Sequence, residues 1–119
     1  MLLAAQIATA AVALIHVYIV VLEMVLWENP AGRRAFGTTA EDARTMRVMA
    51  ANQGLYNGFL VAGLVWGLSM GREGTAVTVF FLACVLVAGL YGGATVSRKI
   101  LLVQALPAAV ALALTLLAR

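Results

Sequence analysis

A histidine and a glutamate interrupt an otherwise apolar run at the start of the chain, Leu2 to Trp27. The run matches a membrane-crossing helix, which needs ~20 apolar residues at ~1.5 Å rise each. Ionisable side chains at such depth cost about 2.5–3.5 kcal/mol each on insertion scales, so they require partners. His16 and Glu23 are seven residues apart, two helical turns less ~20°. They share one face, and Thr9 and Trp27 continue the same stripe. Whatever else the chain forms must receive that face.

Three further apolar runs follow, at about 48–70, 75–96 and 100–118. With 64% hydrophobic and 11% charged residues and a mean hydropathy of +1.01, the composition departs from that of soluble domains, about 45–50% apolar and 25% charged. A soluble four-helix bundle would need a polar stripe along every helix, and the fourth run has almost no polar side chains. The expected fold is all-α: an integral-membrane, antiparallel four-transmembrane-helix bundle in one domain, residues 1–119. The N-terminal run lacks the basic flank of a secretory signal and exceeds its usual apolar length, so it reads as an uncleaved first span.

Loops one (28–47) and three (97–99) hold Arg33, Arg34, Arg44, Arg47, Arg98 and Lys99, six of the eight basic residues. The positive-inside rule therefore puts both loops in the cytoplasm and both termini outside a plasma (inner) membrane. Nothing in the chain resembles a nucleic-acid-binding surface. Asn29-Pro30 and Gly32 end the first helix. Thr38-Thr39-Ala40-Glu41 fits a capping box, which starts the second helix near Thr39 and carries it on through Met70. Arg33 and Arg34 most simply face anionic lipid, with a ligand phosphate as the other option. Cys84 is the only cysteine and reads as a small buried apolar residue.

The polar intramembrane residues are not spread evenly. Asn52, Gln53, Tyr56 and Asn57 cluster on one side of span two at spacings of three to five. Span three brings Tyr91 and Thr95, and span four brings Gln104, followed by the kink-capable Pro107. With Glu23 and His16, all lie in the half of the bundle near loops one and three, whichever way the protein is inserted. That gathering points to a polar pocket. Glycines four apart (54 and 58, 63 and 67, 89 and 93) suit close helix packing, or room for a ligand.

His16 and Glu23 are ~10 Å apart along the helix axis, too far for a mutual hydrogen bond. They can instead flank a bound molecule as catalytic acid and base, while Asn52, Gln53, Tyr56, Asn57, Tyr91, Thr95 and Gln104 orient its polar groups. One histidine without an HExxH-type motif falls short of a zinc set, so neither metal nor other cofactor is expected. Binding of a small amphipathic or lipid-like molecule leads. Proton-transfer catalysis of isomerase or hydratase type, an oligomeric transporter, and a structural subunit are the alternatives. Membrane lipids are the expected partners, and a homo-oligomer is compatible with the sequence.

The strings HVYIVVLEMVLW, ANQGLYNGFL, FFLACVLVAGLYGGATVSRKIL and VQALPA make the chain resemble the small integral-membrane family known as domain of unknown function 1304. The resemblance spans nearly the whole chain and implies a four-span membrane architecture. It brings no catalytic residues with it.

Overall fold

A computed structural model describes residues 2–119. The described residues form five α-helices: α1 (Leu2–Met24), α2 (Pro30–Phe36), α3 (Ala40–Ser69), α4 (Thr75–Thr95) and α5 (Leu106–Ala118). A 3-10 turn at Gly71–Gly74 leads into α4, and a π-helical turn at Leu101–Ala105 leads into α5. Three stretches are long and apolar enough to cross a membrane: Leu2–Met24, Gly71–Thr95 and Leu101–Ala118. By length and composition these are the helices of a multi-pass membrane protein. The expected span at 48–70 falls in α3, which ends one residue sooner, at Ser69, and is not one of the three. Asn52, Gln53, Tyr56 and Asn57 lower its hydropathy, although its 30 residues extend ~45 Å at helical rise.

The chain divides into two compact units, residues 2–15 with Leu60–Arg119 and His16–Phe59. In the first, Val12, Ala13, Leu64, Leu82, Val85, Ala108 and Ala111 form a continuous buried core. Small residues set its spacing. A methyl added at Gly89 would lie within 2.6 Å of the Ala105 backbone nitrogen, so α4 meets the π turn almost backbone to backbone. The π turn has a local cause. Pro107 has no N–H to donate to Val103, and its ring crowds that carbonyl. The Leu106 N–H reaches back five residues to the Leu101 carbonyl, which widens the turn ahead of the proline. Cys84 is half-buried, not fully enclosed as its apolar surroundings in sequence suggest.

In the second unit, α1 ends at Met24, three residues before the apolar run does. The N–H groups of Val25 and Leu26 both bond the Val21 carbonyl at 2.9 Å, and the chain turns. The segment after it is not a plain loop. Pro30 opens α2 at its first turn, where a missing N–H costs nothing. Gly32 does not break a helix. It lies inside α2, where any side chain would overlap the Leu26 carbonyl. Gly37, at φ 66°, closes α2 in the left-handed conformation that glycine adopts without strain, and the Thr38 N–H bonds Arg33 O at 3.0 Å.

The start of α3 falls where the threonines place it, but the capping register moves by one residue. Thr39 Oγ1 accepts the Asp42 N–H at 3.1 Å; this is the N-cap to N3 bond, made by Thr39 and not by Thr38 with Glu41. Asp42 and Glu41 both occupy the first turn, where negative charge complements the helix dipole.

Candidate functional site

Glu23 stands on the last turn of α1 with 2% of its surface exposed. A buried carboxyl without hydrogen-bond partners costs several kcal/mol. Asn57 of α3 supplies one: its Nδ2 donates to Glu23 Oε1 at 2.6 Å. Gln53, one turn earlier on the same helix, is a second amide within reach of the carboxyl. Gly54 lies between these amides in sequence and makes the approach feasible. A methyl there would meet Met24 Cγ at 2.5 Å and Glu23 Cβ at 3.1 Å, so the bare backbone lets α3 close on the end of α1.

Beside this pair lies an open cleft of about 370 Å³, lined by Glu23, Met24, Val25, Trp27, Glu28, Arg47, Val48 and Ala51. Its walls differ in chemistry. Met24, Val25 and Val48 are exposed apolar residues, whereas Glu28 and Arg47 form an exposed ion pair at 3.7 Å. Such a pair contributes ~0–1 kcal/mol to stability, so both side chains can turn to a ligand at little cost.

Trp27 fixes the cleft's shape. Its indole Nε1–H donates to the Ala43 carbonyl at 2.8 Å, an oxygen inside the first turns of α3. Its ring lies 5.0 Å from that of Phe36, tilted by 52°. With Ala43 and Ala50 it forms the buried cluster of this unit. A single aromatic side chain thus ties the end of α1 to α2 and to α3.

The family described as "Protein of unknown function (DUF1304)" matches residues 10–116. The chain belongs to this family. In the DUF1304 chain, the matched region takes in Glu23, Trp27, Arg47 and Asn57, and so the whole cleft. The chain is also similar to the uncharacterized protein YpaA of Lactococcus lactis subsp. lactis, with 28% identity over 95 residues, covering 78% of this chain and 80% of that one. No solved structure matches it.

The remaining candidate residues of this DUF1304 protein have varied placements. His16 is fully buried, as are Thr9 and Glu23 on the same helix, whereas Trp27 is buried from beyond the end of α1 and does not continue its face. Asn52 and Gln53 are exposed. Tyr56 is 60% exposed and meets Phe59 edge-on at 5.7 Å. Tyr91, Thr95 and Gln104 belong to the other compact unit. There Tyr91 is 72% exposed, the Thr95 hydroxyl bonds the Tyr91 carbonyl at 2.7 Å, and Gln104 sits half-buried in the π turn. Among the described residues, no group of three or more His, Cys, Asp or Glu side chains is placed to hold a metal.

Three cleft residues of the DUF1304 chain escape a reading of the sequence as a site: Trp27, Glu28 and Arg47. Trp27 reads there as the end of a buried stripe, and the two charged residues as loop. The available signal is an amphipathic aromatic at a span end with charges of both signs close by, a pattern suited to one apolar and one wet side.

Proposed function

We propose that this protein is a four-span plasma-membrane protein, with α3 as its second span, that binds a small amphipathic molecule in the Glu23 cleft. One observation carries the reading: a buried carboxyl, held by an amide from another helix, forms part of the wall of an open cleft. The cleft's volume is at the lower end of the ~300–1,000 Å³ of small-molecule sites. Apolar contacts on Met24, Val25 and Val48 suit a hydrocarbon portion. Glu23 offers a hydrogen-bond acceptor at depth, and the Glu28–Arg47 pair suits a polar headgroup at the rim.

The basic residues within 28–47 and 97–99 favour the cytoplasmic side for these two segments. The buried amide of α3, Asn57, is satisfied by Glu23, which supports a crossing by lowering the cost of placing that amide in hydrocarbon.

The test is mass spectrometry of small molecules extracted from purified protein. Wild type retains an amphipathic species that Glu23→Gln and Ala51→Phe lose, the first through the carboxyl and the second by filling the cleft. Identical extracts from all three proteins would sink the reading.

A further inference from the structure

A second cavity, with no residue in common with the Glu23 cleft, lies in the unit built from residues 2–15 and 60–119. It is an open groove of about 840 Å³ whose wall includes Ala76, Val79, Phe80 and Ala83 of α4, with Arg72 and Arg119 as its charged residues. The alanines leave the space that larger side chains would fill. Thr75 and Thr115 also line it, but their hydroxyls are taken by the Arg72 and Ala111 carbonyls, each at 2.7 Å. The wall is therefore apolar apart from two guanidinium groups.

No Asp or Glu lines the groove, and among the described residues neither arginine side chain is held in an ion pair. Arg72 belongs to the turn that starts the apolar stretch Gly71–Thr95, and Arg119 directly follows the apolar stretch Leu101–Ala118. Both cations thus sit at the ends of candidate spans; in a bilayer crossed by these spans they would fall at headgroup level, with Val79, Phe80 and Ala83 a turn or more into hydrocarbon.

We infer that this groove is a binding site for an anionic phospholipid of the surrounding bilayer, its phosphate at Arg72 and Arg119 and an acyl chain along Val79, Phe80 and Ala83. Charge complementarity selects the headgroup, since a zwitterionic lipid brings its own cation to the same place. The guanidinium fork suits phosphate oxygens bidentately, and methylenes covering Phe80 and the alanine floor gain the usual contact energy of a filled groove.

The experiment is native mass spectrometry of the full chain, delipidated in neutral detergent and titrated with phosphatidylglycerol or phosphatidylcholine of matched acyl chains. Wild type retains phosphatidylglycerol in preference. Arg72→Gln, at an exposed position, weakens it about 5-fold, from ~1 kcal/mol per basic residue, and leaves phosphatidylcholine unchanged. Ala83→Phe, scored only if circular dichroism and thermal melting match wild type, removes the preference by filling the groove. Equal retention of the two lipids by wild type overturns the site. So does a phosphatidylglycerol preference that Arg72→Gln leaves intact. Loss in Arg72→Gln without loss in a folded Ala83→Phe protein overturns the groove as the seat of the acyl chain.

Discussion

Asn57 Nδ2 donates to Glu23 Oε1 across 2.6 Å, joining helices α1 and α3 through two polar side chains separated by 34 positions in sequence. The pair explains how an acidic residue is tolerated in an apolar run. It also fixes a carboxyl at the edge of a cleft without leaving it unpartnered. Removing one member leaves the other buried and unsatisfied, while removing both does not. Asn57→Leu should therefore lower stability by about 1–3 kcal/mol, and Glu23→Leu/Asn57→Leu by less than the sum of the single changes. Unfolding in mixed micelles, followed by circular dichroism, measures this coupling. Strict additivity would mean that the bond carries no energy.

Trp27 should be the most sensitive residue of the second unit. Trp27→Phe keeps a ring near Phe36 but leaves the Ala43 carbonyl without its indole donor, at a cost of about 1–2 kcal/mol. Trp27→Ala also empties the space between Ala43 and Ala50 and should cost about 3–5 kcal/mol. Hydrogen exchange at 28–43 reads the effect, rising in Trp27→Phe and further in Trp27→Ala.

Two glycines should respond oppositely to alanine. At Gly89 the new methyl meets the Ala105 backbone at 2.6 Å, which cannot move aside as a flexible side chain could. Gly89→Ala should destabilise by about 1–3 kcal/mol. At Gly58 nothing lies within 4 Å of the added methyl, so Gly58→Ala should stabilise α3 by about 0.5–1 kcal/mol through helix propensity. Thermal melting of the two variants distinguishes them by sign.

The capping register makes a third contrast. Thr39→Ala removes the bond to the Asp42 N–H and should cost about 1 kcal/mol, whereas Thr38→Ala should cost less. A larger loss in Thr38→Ala than in Thr39→Ala would mean that Thr38 caps α3.

The sequence makes the buried stripe readable because helical periodicity is strict within α1: Thr9, His16 and Glu23 share a face and are buried, whereas Trp27, also buried, lies past the end of the helix at Met24. Asn57 stands out in sequence only as one of a polar cluster with Asn52, Gln53 and Tyr56, and of these four it alone is buried. Less was legible where several local signals compete. Asn29-Pro30 and Gly32 read as breakers, yet the proline opens a short helix and the glycine packs inside it; periodicity has little to say over seven residues. The π turn follows from Pro107, but a proline alone does not tell whether a helix kinks, ends or widens. Exposure of Tyr56 and Tyr91 depends on how each helix is rotated in its unit, which uniformly apolar neighbours leave unspecified.

Under the proposed function, an amphipathic molecule occupies the cleft between the end of α1 and the first half of α3. Trp27 reports on it directly, being part of the lining, once Trp66, the chain's other tryptophan, is replaced by phenylalanine. Titration of Trp66→Phe protein with a bromine-labelled amphiphile should quench Trp27 emission saturably, and adding Glu23→Gln or Ala51→Phe should abolish the saturable component. Quenching that rises linearly with amphiphile in all three proteins would contradict a ligand site at Glu23.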